Sequence, residues 1–312
     1  MMKTGRQAQR GNAAGWLLII ILIIAIVAGI YYRRGGAPAA GDAPISDAAS
    51  ADDAAPEDAT GDDATPDDMT PGDAPPGDTP PADEPEDAEA LTDADGKAFS
   101  YLPAGDLLPG SGPGFVDETV YRENIRFPTE DPAFLNSQVY RYGGGLGSVN
   151  GMEGGQCDAR NYDYPWQDTF CEKRDRNQPL CPGGGHEGLD IRPHTCARNV
   201  HWAIAAEDGR VIDVRRHWVT IQTPDGTIYN YLHLNMGELS VSEGQNVLKG
   251  DRIGKISSDF FKSDGTSVPT TTHLHFEMYE NYVETPDAEP LFTKVNPYMT
   301  LVAAYDRKLR EE

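Results

Sequence analysis

The chain has 312 residues, 50 of them acidic and 26 basic, for a formal net charge of -24. That length has room for two domains. Nothing in that balance calls for a nucleic-acid partner, and none is expected.

Residues 1–12 carry Lys3, Arg6 and Arg10 and are expected to form a short cytoplasmic tail. Residues 13–32 are uncharged and strongly apolar, and Arg33 and Arg34 follow them. A run of about 20 such residues spans a bilayer, so a single transmembrane anchor is expected. Tyr31-Tyr32-Arg33-Arg34 suits signal cleavage poorly, although the small residues 37–40 leave that route open. The basic N-terminal flank places the large C-terminal part on the periplasmic or extracytoplasmic side.

Residues 35–96 contain 19 acids and no Lys or Arg, set among Ala, Pro, Gly and Thr. Such a segment has too little apolar surface to offset its chain entropy, and a disordered linker is expected. In the rest of the chain 31 acids face 26 bases, so the folded part is only mildly acidic. Residues 98–156, rich in Gly, Pro and Tyr, read as an irregular lead-in packed on a core.

Cys157, Cys171, Cys181 and Cys196 follow closely on one another. Beyond a membrane anchor, four cysteines suggest two disulfides. Three pairings are open; easy closure of local loops favours Cys157–Cys171 and Cys181–Cys196. No C-x-x-C pair is present, which ranks a structural zinc site below the disulfides.

From Trp202 onward the chain alternates and turns like an all-β domain. Strands are expected over 202–206, 209–214, 218–222, 227–234 and 271–278. The glycine-spaced run 241–254 reads as a hairpin. In 227–234, Tyr229, Tyr231 and His233 fall on one strand face; in 271–278, His273 and His275 do. Residues 296–312 read as a helix, with Asn296 as cap and Tyr298, Leu301, Val302, Tyr305 and Leu309 forming an apolar stripe.

Three blocks carry the chemistry. They are Gly185-His186-x-Gly188-x-Asp190, then Tyr231-x-His233-Leu234, then His273-x-His275. Two imidazoles and a carboxylate make a three-ligand set of the kind that leaves an open position on catalytic zinc. In content and order the blocks resemble the lysostaphin-type (LytM-like) zinc metallopeptidases, which hydrolyse peptide bonds of the bacterial cell wall. The likeness runs from about residue 183 to 278.

The resemblance implies a mainly β, barrel-sandwich-like catalytic domain over 157–295, with one Zn2+ per chain held by His186, Asp190 and His275. It implies His233 and His273 as unligated catalytic histidines. Tyr231 is placed to line the groove or simply to pack, and Glu277 to orient His275 or to sit at a solvated strand end. Glu187 is expected to point away, and His194, His201 and His217 to be structural. The segment 192–201 is an insertion relative to the family pattern.

The function expected is that of a membrane-anchored zinc endopeptidase that cuts peptide cross-links of peptidoglycan with zinc-activated water. Two alternatives stand beside it: an inactive groove that binds or activates wall amidases, and a zinc peptidase with a protein substrate. The sequence names no protein partner.

Overall fold

Strand β9, Leu274–Tyr282, sets the architecture because its neighbours inherit its two faces. The computed structural model describes residues 90–136, 154–174, 177–262 and 264–310. The expected tail, anchor and most of the acidic linker lie outside the described residues. Among the described residues, no helix is long and apolar enough to cross a membrane.

In β9, Leu274, Phe276 and Met278 are fully buried in the core. His275 and Glu277 alternate onto the other face. Along one edge, β9 pairs with β2 (Leu189–Pro193) and β10 (Leu291–Val295); along the other it pairs with β6 (Ile228–Leu232). The sheet continues through β5 (Trp218–Gln222) and β4 (Gly209–Arg215) to β7 (Asn246–Val247), while β1 (Ala133–Leu135) closes the β2 side. All these pairings are antiparallel.

Register then distributes the side chains. Phe276 lies opposite both Leu189 and Tyr231, and Met278 opposite Tyr229, so these line the core. Asp190 and Leu232 lie opposite His275, and Asn230 opposite Glu277, which puts them on the second face.

The expected hairpin over 241–254 is not one. Its strands enter different sheets: β7 extends the main sheet beside β4, whereas β8 (Arg252–Lys255) pairs with β3 (Trp202–Ile204). Gly250, with φ +94°, turns the chain between them. Left-handed backbone of this kind favours glycine.

The acidic linker was expected to reach residue 96, but residues 90–96 are folded. Thr92 bridges to Ala98, and Asp93 Oδ1 accepts the amides of Asp95 at 3.0 Å and Lys97 at 2.9 Å. An aspartate that caps its own turn supplies local order that composition does not show.

The C-terminal helix α1, Tyr298–Leu309, follows Asn296, whose Oδ1 accepts the Tyr298 amide at 3.0 Å. It buries Tyr298, Leu301, Val302 and Tyr305. Tyr305 packs 4.4 Å from Trp166 and 4.9 Å from Phe127, ring centre to ring centre, and Phe99 packs 4.9 Å from Trp166. Aromatic contacts of this kind add to the area they bury, and they bind the lead-in to the helix.

The disulfides differ from the expected pairs. Cys157 joins Cys196 and Cys171 joins Cys181, each with Cα atoms 5.2 Å apart. The reason lies in the backbone. The Cys171 amide donates to His186 O at 3.1 Å and the His186 amide to Glu172 O at 2.8 Å. That pairing folds the segment carrying Cys171 back against the loop that begins at Cys181. A sequence separation of 10 residues makes this the easily closed loop, and Cys157 is left to span 39 residues to Cys196.

Candidate metal centre

His186 lies on the loop that leads into β2. The loop approaches β9 so closely that a Cβ on Gly188 would sit 2.3 Å from Phe276 O. Only glycine permits that approach, and it brings His186 beside Asp190 of β2 and His275 of β9. His186 Nε2 is 2.8 Å from His275 Nδ1 and 3.2 Å from Asp190 Oδ1, and His275 Nδ1 is 3.2 Å from that same oxygen. Among the described residues, these three form a His/Asp group able to hold a metal ion.

The tautomers follow from the other ring nitrogens. His186 Nδ1 faces Thr169 O at 2.9 Å, and a carbonyl only accepts, so Nδ1 carries the proton and Nε2 is bare. His275 Nε2 faces Glu277 Oε1 at 3.1 Å and donates to it, leaving Nδ1 bare. Two nitrogen lone pairs and a carboxylate oxygen thus meet within 3.2 Å. Such a cluster requires a positive charge. Tetrahedral bonds of about 2.0–2.2 Å would separate their donors by about 3.3 Å, so the set fits zinc.

Charge follows the same logic. Burial opposes ionisation of Asp190, but the imidazoles of His186, His273 and His275 packed beside it hold it well below the usual carboxylate range. Burial favours neutral His275, yet its bonds to Asp190 and Glu277 outweigh this and push it up to about 9, so a cation seated at Nδ1 takes the place of a proton there.

His233 and His273 lie alongside, their ring centres 4.6 Å apart. His233 Nδ1 donates to Asp259 O at 3.0 Å and His273 Nδ1 to Thr271 O at 2.8 Å, which leaves Nε2 of each bare in the neutral ring. Ser257 spaces their backbones: its amide donates to His233 O at 2.8 Å and its carbonyl accepts the His273 amide at 3.3 Å. His273 immediately precedes β9, and its Nε2 lies 3.4 Å from Asp190 Oδ1, the oxygen that His275 Nδ1 also approaches, so the two histidines face the same side as expected. The five residues are only 1–3% exposed, so water is largely excluded from the cluster.

Tyr231 does not line the groove. It lies in the core against Phe276, and its hydroxyl accepts the Ala206 amide at 2.8 Å. His233 has φ +63°, and this reversal breaks the alternation that placed the two residues on one face. Glu187 turns away from the three donors to pair with Lys294 at 2.7 Å. His201 is held by Asp131 at 2.7 Å and Thr195 at 2.7 Å. His217 stacks nearly parallel to His233, 5.8 Å between centres, and accepts the Phe261 amide. Sequence reasoning missed Thr169, Asn230 and Lys294 around the ligands; only strand register and loop contacts reveal them.

Residues 184–286 match the model of peptidase family M23. This segment is an M23 peptidase domain. Among curated proteins, none matches the chain. Among solved structures, similarity extends to a Ruminococcus gnavus protein assigned as a glycyl-glycine endopeptidase, LytM, at 18% identity and a TM-score of 0.35, over 60% of this chain and 63% of that one. The catalytic domain of the antimicrobial peptidase lysostaphin from Staphylococcus simulans is 23% identical, with a TM-score of 0.29, over 38% of this chain and 81% of that one. A zinc-containing peptidase from Vibrio cholerae is 27% identical, with a TM-score of 0.24, over 33% of this chain and 30% of that one. The chain spans less than two-thirds of the R. gnavus protein.

Proposed function

We propose that the protein is a zinc endopeptidase that hydrolyses peptide cross-links of peptidoglycan. The observation that carries this reading is the convergence of His186 Nε2, Asp190 Oδ1 and His275 Nδ1, with both imidazole tautomers fixed to present bare nitrogens. It is supported by the M23 domain over 184–286.

His186, Asp190 and His275 would hold one zinc ion, which when bound supplies Lewis acidity to polarise a peptide carbonyl and acidify water. The chain's own groups do the rest. His233, fixed through Nδ1 by Asp259 O, offers Nε2 to take a proton from the attacking water. His273, fixed through Nδ1 by Thr271 O, directs a second imidazole edge at the same space, where it stabilises developing negative charge once protonated. Which of the two returns the proton to the leaving nitrogen is decided by the bound peptide. Anchoring through residues 13–32, with the domain on the extracytoplasmic side, belongs to the same proposal and rests on the apolar run and its basic flanks.

The test is digestion of cross-linked peptidoglycan by the purified protein. Released fragments should carry new amino groups and no new reducing sugar ends, and a chelator should stop the reaction until zinc is restored. Zinc-loaded protein that releases nothing, yet stimulates a separate wall amidase, would establish the activator alternative instead.

A further inference from the structure

Beyond the ligands, a buried polar chain runs away from His275. Glu277 Oε1 accepts from His275 Nε2 at 3.1 Å and is 3.0 Å from Lys294 Nζ. Glu277 Oε2 accepts from Asn230 Nδ2 at 2.7 Å. Lys294 Nζ also reaches Glu187 Oε2 at 2.7 Å. Strand register makes this cluster: Lys294 of β10 lies opposite Tyr279 of β9, two residues past Glu277 on the same face, and Asn230 of β6 lies opposite Glu277 itself.

Glu277 and Glu187 are both buried. A carboxylate out of water is costly unless a cation and hydrogen bonds compensate it, and removing one partner of such a pair leaves an uncompensated charge. Each Glu277 oxygen is assigned: Oε1 to His275 and Lys294, Oε2 to Asn230. The carboxylate therefore cannot turn without abandoning a partner. Its orientation keeps the His275 proton on Nε2 and leaves Nδ1 for the metal. Lys294 also joins the neighbour of His186 on the loop, Glu187, to the neighbour of His275 on the strand, Glu277.

We infer that Lys294 is a positioning residue for the metal centre: its ammonium fixes Glu277, and through Glu277 the ring of His275. This rests on the zinc reading above. Outer groups that orient a metal-binding histidine typically carry 10–100-fold in metal affinity.

The experiment measures zinc affinity by competition with a chelating indicator, together with the visible spectrum of the cobalt-substituted protein, for wild type, Lys294→Met, Lys294→Gln and Glu277→Gln. Arg122→Met, which removes ion pairs to Glu207, Asp225 and Glu280 and so touches neither the three ligands nor Glu277, serves as a stability control. Lys294→Met and Glu277→Gln should each weaken zinc binding about 10-fold or more and alter the cobalt spectrum. The double variant should be little worse than either single one, because the two act as a unit. Arg122→Met should lower Tm without changing zinc affinity. If Lys294→Met does not fold, Lys294→Gln and Glu277→Gln carry the same readings. Lys294 variants that bind zinc like wild type, or that lose affinity only as much as Arg122→Met does at equal loss of Tm, overturn the inference. Wild type that takes up no zinc overturns the proposed function with it.

Discussion

Tyr231 and His233 are two residues apart, yet one is sealed in the core against Phe276 and the other faces His273. The left-handed backbone at His233 makes the difference. The two residues should therefore behave differently when altered. Tyr231→Phe removes the acceptor of the Ala206 amide and should cost about 1–3 kcal/mol of stability while leaving turnover nearly intact. His233→Ala should retain metal and lose turnover by about 10²-fold or more. Urea denaturation and steady-state kinetics on both variants decide the matter; a Tyr231→Phe protein of normal stability and crippled turnover would return Tyr231 to the groove.

Metal content separates ligands from proton carriers. His275→Ala removes one of three donors and should lose most of the zinc, whereas His273→Ala should keep it. Elemental analysis of the purified variants checks this, and unchanged zinc in His275→Ala would refute the ligand set.

The disulfides make separable contributions. Chain-entropy arithmetic assigns roughly 3 kcal/mol to the shorter loop and roughly 4 kcal/mol to the longer one. Cys171 and Cys181 flank the contacts that hold His186, so Cys181→Ser should weaken zinc binding as well as stability. Cys157→Ser should affect stability more than metal. Peptide mapping of the unreduced protein should recover Cys157–Cys196 and Cys171–Cys181; recovery of Cys157–Cys171 would contradict the fold around His186.

Asp168 gives a pH dependence. It is fully buried, and burial raises its carboxyl to about 6, against hydrogen bonds from the Phe170 and Gly105 amides and the Asn296 side chain. A folded value above the unfolded one, about 3.9, means that the folded state holds the proton more tightly. The contribution is thus fully present below about pH 4 and is lost as pH rises through 6. Relative to Asp168→Asn, which does not titrate, wild type should be more stable at pH 4 than at pH 7, by up to roughly 2–3 kcal/mol. Denaturation curves at the two pH values showing the opposite slope would exclude this assignment.

Much of the fold and centre was legible because it depends on short-range pattern. Trp218–Gln222 forms the strand its alternation predicts. The spacing of His186, Asp190 and His275 brings their donor atoms together once the two strands pair. The remainder depends on which strands pair and at what register. Nothing local places Lys294 beside Glu277, or Asn230 opposite it. Nor does the sequence show that Thr169 O sets the tautomer of His186. The cysteine pairing is hidden for a related reason: closure of a short loop does govern it, but which cysteines are close depends on the path of the Cys171 segment against His186.

The lead-in enters the fold through a parallel bridge. The Trp166 amide donates to Ser100 O and the Leu102 amide to Trp166 O, each at 2.9 Å. A pull on the chain ahead of residue 90 would load these bonds in shear, so that several must yield together. Trp166 hands that load on in two directions, to the C-terminal helix through its contact with Tyr305 and to β1 through its indole N–H, which donates to Ala133 O at 3.1 Å. Tension from the N-terminal side is therefore shared between the C-terminal helix and the sheet edge at β1, with β2 between that edge and the strand bearing His275.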